Sequence, residues 1–333
     1  MKELRRKSRN RLCLIAALAA AAAVLLGFIF YAAGQRKERG PERVILVSKI
    51  IDEKSDFWVQ LYEGARMAAA EYGMELQIVG APKETDVEYQ WKLVKEAVSQ
   101  EPDAILLVPA SSTESGKMVE LIRREEIPLV LVDSDVDGNH DITVVGTDNR
   151  AAGRLQGGYI AGLAGENSQI VIISHVKDSS TAKEREQGIR EGLGEFEKNI
   201  VEVVYCDSDY DRAYGLMEGL LKKYPQIDIV AGLNEYSAVG AARAVIDSGM
   251  DSKIQLVGFD SSLEEIRYLE SGLFEGIVIQ NPYAMGYLAV EQARLILDGE
   301  KTEKFVDSGS KLISADEVHS EENQKVLFLF TED

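Results

Sequence analysis

The stretch Gln255-Leu256-Val257-Gly258-Phe259-Asp260-Ser261-Ser262 is an apolar run that stops at a carboxylate and two hydroxyls, just before a helical pattern begins. A strand apolar throughout is usually buried on both faces, as in a parallel sheet covered by helices. Ligands of such sheets lie beyond the carboxyl ends of the strands, which is where Asp260 stands. On this stretch alone two readings are open. Asp260 faces a small molecule, or it joins Ser261 and Ser262 in capping the next helix.

Outward from this stretch the same alternation runs for most of the chain. Strand candidates fall at 44–48, 76–79, 104–108, 129–132, 142–145, 170–173, 201–204, 229–233, 255–259 and 277–280. Between them apolar residues recur at helical spacing, for example Trp58, Leu61, Tyr62, Ala65, Ala68, Ala69 and Tyr72. The alternation predicts a parallel α/β architecture with right-handed crossovers. Domain-size priors favour two lobes over one broad sheet. Polar residues close five of the strands: Ser48, Asp133, Asn234, Asp260 and Gln280. Any one could be a turn or a cap. Five at the same end point to a shared crevice if the lobes face each other.

The net charge of −19 is uneven. Residues 1–43 hold ten Lys/Arg and three Asp/Glu, while residues 44–333 hold 27 basic against 53 acidic residues. An acidic body of that size repels phosphate backbones and argues against nucleic-acid binding. The basic start precedes 22 uncharged, mostly apolar residues, Leu12 to Ala33. In a helix these span roughly 30 Å, the thickness of a bilayer core. Charge before the segment places the amino terminus inside and the body outside. The length and the bulky residues near possible cleavage sites favour a retained, single-pass signal anchor over a cleaved leader. Residues 34–42 form a polar tether reaching at most about 30 Å. Of the two cysteines, Cys13 opens the apolar segment and Cys206 ends a strand, so no internal disulfide is expected and Cys206 reads as a small buried residue.

Several segments resemble one family in order and spacing. They are Asp56-Phe57-Trp58-Val59, Leu129 to Asp133, Thr147-Asp148-Asn149, Ala182 to Gly188, Asp209-Tyr210-Asp211-Arg212, Asn234-Glu235, Val257 to Asp260 and Ile279-Gln280-Asn281-Pro282. Over positions 43–315 the chain is similar to the type I periplasmic sugar-binding proteins, ribose-binding protein above all. The resemblance implies two Rossmann-like lobes joined by a three-strand hinge and closing over a ligand. It places one lobe at 43–147 with 281–308, and the other at 148–280 with 309–333. It also implies that Phe57, Trp58, Asp133, Arg185, Tyr210, Asn234, Asp260 and Gln280 contact a sugar. Carboxylates accept hydroxyl protons, Arg, Asn and Gln donate, and aromatic faces cover the C–H side of a ring. Against this, Trp58 also lies on its helix's apolar stripe, Tyr210 could be surface, and Arg185 sits in a charged run. The ribose binders carry Arg after the fourth-strand carboxylate, where this chain has Ser134, and Asn where it has Ser55. A hexose, another pentose, a polyol or a furanose-like signalling molecule all remain open.

The functional expectation is a monomeric, extracytoplasmic solute-binding protein that delivers a sugar or polyol to an ABC-type permease. The alternative is a ligand-sensing co-receptor that engages a membrane histidine kinase. A repressor would need a helix-turn-helix where the apolar segment stands. The run Asp133 to Gly138 imitates a calcium loop, but Val144 replaces its closing Glu. Around Gly116-Lys117 a phosphate loop fails at Ser111 and Met118. The histidines His140, His175 and His319 are too dispersed for a metal site, and no Gly-x-Ser-x-Gly motif occurs. Neither catalysis nor a cofactor is expected.

Overall fold

A computed structural model describes residues 40–138 and 141–327. Among the described residues twelve strands divide into two six-stranded sheets. The first is built from β1 (Arg43–Ser48), β2 (Glu75–Gly80), β3 (Ala104–Leu107), β4 (Leu129–Val132), β5 (Thr143–Gly146) and β11 (Phe305–Asp307). Its order is β11-β5-β4-β3-β1-β2, and every pairing is parallel. The second is built from β6 (Ile170–Ser174), β7 (Ile200–Tyr205), β8 (Ile229–Gly232), β9 (Gln255–Phe259), β10 (Phe274–Gln280) and β12 (Ser310–Ser314). Its order is β12-β10-β9-β8-β6-β7, parallel except that β12 runs antiparallel to β10. These are two α/β lobes.

Strands β3, β4, β6 and β8 are buried at every residue, which is why they read as unbroken apolar runs. Strands β11 and β12 are short and only partly buried, and no apolar run announced them. Helices α1 (Asp56–Glu71), α2 (Val87–Ser99), α3 (Gly116–Arg124), α4 (Asn149–Leu163), α5 (Ser180–Leu193), α6 (Tyr210–Lys223), α7 (Glu235–Asp247), α8 (Leu263–Glu270) and α9 (Pro282–Leu297) cover the sheets, and α10 (Glu321–Leu327) ends the described chain. Helix α9 follows a second-sheet strand yet packs on α1 of the first lobe. Gly64 and Gly286 permit this, because a methyl group at either would strike backbone atoms of the opposite helix.

The chain crosses between sheets at three places: from β5 to α4, from β10 to α9, and from β11 to β12. The crossings lie side by side. Thr147 Oγ1 donates to Gln280 Oε1 at 2.8 Å and lies 3.4 Å from Ser308 Oγ. Gly309 takes φ of +88°, a conformation glycine adopts without steric cost, directly before β12 reverses direction.

The apolar run Val326-Leu327-Phe328-Leu329-Phe330 is only partly described. Glu321–Leu327 is helical, with Leu327 buried in the second-lobe core and Val326 exposed, while residues 328–330 lie outside the described residues. The basic segment, the expected anchor at 12–33 and His140 also lie outside them. Among the described residues no helix is long and apolar enough to cross a membrane. Cys206 is fully buried, which pushes its thiol up to about 11.

Candidate ligand-binding site

The carboxyl ends of both sheets meet at one small cavity. Asp133 and Asp260 hold matching places in its two walls. Each follows a strand, β4 or β9, and each donates its N–H at 2.8 Å to the neighbouring strand, to Val145 or Val278. Both take positive φ, 62° and 91°, which is rare outside glycine and tends to occur at functional sites.

On the first-lobe wall the Lys49 ammonium lies 2.8 Å from Asp133 Oδ2 and 3.2 Å from Ser134 Oγ, and it stands 5.4 Å from the centroid of the Trp58 ring. Burial alone would raise the Asp133 carboxyl, but the charge and hydrogen bond of Lys49 hold it below its ordinary value. Burial likewise acts to lower Lys49, and the charges of Asp133 and Glu84 more than reverse it. Both shifts describe one charged pair. Glu84 is also fully buried, and burial raises its carboxyl against the opposing pull of Lys49. Phe57 meets Trp58 edge to face, with centroids 4.9 Å apart. Trp58 serves at once as core and as cavity wall.

On the second-lobe wall Arg185 extends from α5 with 3% of its surface exposed. Its Nε donates to Asn149 Oδ1 and one terminal nitrogen to the Leu233 carbonyl, both at 2.8 Å, while the guanidinium lies 3.8 Å from the Phe259 ring centroid. The cap of α8 belongs to Ser262, whose hydroxyl and N–H exchange hydrogen bonds with Glu265. Asp260 is thus released from capping its own helix. Its carboxylate accepts from Gln280 Nε2 at 2.6 Å and from the Glu235 N–H at 2.8 Å. Burial raises its carboxyl, opposed chiefly by Arg185. Asn234 caps α7 through Oδ1. Glu235, at the first turn of that helix, is pushed up to about 7 by burial, against hydrogen bonds from Tyr210 and Ser55.

Hydrogen bonds cross the cleft on both flanks of the cavity. Ser55 donates to Glu235 at 2.8 Å, Ser208 to Glu84 at 2.9 Å and Tyr236 to Asp52 at 2.6 Å. Lys183 reaches Ser112 at 2.8 Å, and the Asp135 N–H reaches Ser180 at 2.8 Å. The lobes are therefore closed on each other.

Seven residues singled out from the sequence line this cavity: Phe57, Trp58, Asp133, Arg185, Asn234, Asp260 and Gln280. Tyr210 does not, and its placement there is corrected. Its hydroxyl donates to Glu235 at 2.5 Å and its ring stands 4.7 Å from that of Tyr236, on the side of a wider outer recess. Lys49, Glu84, Glu235 and Tyr236 were missed. Lys49 and Glu235 directly follow the strand-end residues Ser48 and Asn234, so the strand-end rule extended by one residue would have reached them. Glu84 lies four residues past β2, where nothing local marks it. Among the described residues no group of three or more His, Cys, Asp or Glu is placed to hold a metal ion.

Residues 49–301 match the periplasmic binding protein domain. The chain belongs to that family. Among curated relatives of this periplasmic binding protein, the ribose import binding protein of Bacillus subtilis is 30% identical over 258 residues, covering 77% of this chain and 82% of the relative. A sugar transporter from Clostridium phytofermentans is 41% identical with a TM-score of 0.78, covering 81% of this chain and 98% of the other. A carbohydrate transporter solute-binding protein from Agrobacterium radiobacter, solved with D-arabinose, is 27% identical with a TM-score of 0.81, covering 87% and 100%. The protein is accordingly a type I periplasmic sugar-binding protein, extracytoplasmic in its binding domain and not an enzyme.

Proposed function

We propose that this protein captures a neutral sugar or polyol between its lobes and presents the closed form to an ABC-type membrane permease. The observation that carries the reading is the cavity's polar lining. Four carboxylates, Glu84, Asp133, Glu235 and Asp260, face two cations, Lys49 and Arg185. Carboxylates accept hydroxyl protons and the cations, with Asn234 and Gln280, donate, which suits a ring of hydroxyls. The excess of carboxylates opposes a sugar acid or sugar phosphate. Phe57 and Trp58 offer aromatic surface to the C–H side of a ring. The seven lining residues named from the sequence are the proposed contacts, with 43–147 plus 281–308 and 148–280 plus 309–333 as the moving lobes. The segment 12–33 is the proposed anchor, which keeps the domain within a short tether of its permease.

That tether also favours a second reading, in which the closed form engages the outer domain of a sensor kinase. Pull-down from membranes, with and without sugar, separates the two by which membrane protein is recovered.

Thermal melting of the full chain in detergent tests the main reading. A ligand that binds only the folded form raises the melting temperature. Neutral pentoses, hexoses or polyols are expected to do so and sugar phosphates are not. A rise with sugar phosphates alone would contradict it.

A further inference from the structure

Lys49 and Glu84 are adjacent in the first-lobe wall, both line the cavity and both are about 96% buried in their side chains. They nevertheless do not touch. Lys49 Nζ is 3.9 Å from Glu84 Oε2, too far for a hydrogen bond, although Lys49 closes to 2.8 Å on Asp133. Two groups at that separation can both reach one oxygen, because an ordinary hydrogen bond is about 2.8 Å long on each side. The ammonium spends one N–H on Asp133 and another on Ser134, and it has three. The carboxylate of Glu84 is held from the opposite lobe by Ser208, whose backbone and that of Asp207 take φ of 53° and 54°. The geometry therefore leaves a donor and an acceptor side by side, close enough for one oxygen facing both to hydrogen-bond to each.

Resting on the reading of the cavity as a sugar site, we propose that Lys49 and Glu84 form a specificity-determining subsite that reads a single ring hydroxyl, which accepts from Lys49 and donates to Glu84. A sugar lacking that hydroxyl leaves a buried ammonium and a buried carboxylate without their partner. A site built to hydrogen-bond a hydroxyl discriminates strongly for that reason, far more than an apolar pocket discriminates a methylene. Because Ser208 holds Glu84 only across the closed cleft, recognition of this hydroxyl and closure are satisfied together.

The test is calorimetric titration of the full chain in detergent with D-ribose, D-arabinose, D-xylose, D-allose and D-galactose, followed by the monodeoxy analogues of the tightest of these. The expected result is that one monodeoxy analogue binds the native chain at least thirtyfold more weakly than the parent sugar. Glu84→Gln, nearly isosteric, and Lys49→Gln should weaken the parent by at least tenfold and bind that one analogue within about threefold of the parent, while still discriminating against the other analogues. Melting curves confirm folding, and Glu84→Gln alone decides the matter if Lys49→Gln does not fold. Unchanged discrimination at every ring position in a variant that still binds sugar would overturn the subsite and leave the sugar site standing. Failure of the native chain to bind any of these sugars, or any other neutral pentose, hexose or polyol in the melting screen, would remove the sugar site and the subsite with it.

Discussion

Tyr236 and Asp52 join the two lobes: the phenol at the start of α7 donates to Asp52 Oδ2 in the loop after β1, at 2.6 Å across the cleft. Neither atom needs a ligand to make this bond, so it acts on the balance between open and closed forms. Tyr236→Phe removes the hydroxyl and keeps the ring. A hydrogen bond to a charged group contributes about 1.5–3 kcal/mol, less where water competes. Sugar affinity should fall by roughly three- to thirtyfold for every sugar alike. Calorimetry on several sugars checks this, and a loss confined to one of them would mean that the hydroxyl acts by touching that sugar and not through the bond across the cleft.

Asp260→Asn keeps the shape of the cavity wall but removes a charged acceptor, and the loss in sugar affinity should be about 1.5–3 kcal/mol or more. Arg185→Ala should weaken binding by a similar amount, yet it cannot be a purely functional change. Arg185 also satisfies Asn149 and the Leu233 carbonyl in a buried setting. Its removal should lower stability by about 1–3 kcal/mol in a denaturant titration, whereas Asp260→Asn should leave the midpoint much closer to native.

Glu235 supplies a pH dependence. Its folded carboxyl is pushed up to about 7 from an ordinary 4.5 by burial, with Asp260's charge adding to the shift. Between these values the folded chain holds a proton that the unfolded chain has released, so this group's contribution to stability is complete below about 4.5 and is lost as pH rises through about 7. Glu235→Gln should match the native chain near pH 4.5 and exceed it above pH 8, by an amount on the order of 3 kcal/mol. Melting temperature against pH for both proteins checks the sign. A native advantage that grows with pH would refute it.

The contact of α1 with α9 depends on Gly64 and Gly286. Because α9 returns to the first lobe, Gly286→Ala should separate the two helices and cost about 1–3 kcal/mol in denaturant-measured stability. The same substitution at Gly116, where a methyl group meets open space, should change stability far less.

The sequence exposed the two-lobe plan because parallel strands covered on both faces are apolar at every position, as β4, β6 and β8 are. It exposed Asp133, Asn234, Asp260 and Gln280 because a polar residue ending such a strand breaks an otherwise uniform pattern. Strands β11 and β12 stayed hidden, since short, half-buried segments carry little periodicity. Tyr210 was misplaced because a position six residues past the end of a strand says nothing of which side of Glu235 its ring occupies. Glu84 was invisible for a related reason. Its neighbour Lys49 and its hydrogen-bond partner Ser208 are 35 and 124 residues away, and only the closed fold brings the three together.

The central claim is that one sugar lies between Asp133 and Asp260, held by both lobes. A crystal structure of the protein grown with its tightest-binding neutral sugar tests this most directly. A single ring with hydroxyl oxygens within about 3 Å of both carboxylates is the predicted result. Density for the sugar in the outer recess beside Tyr210, or touching only one of the two aspartates, would contradict it.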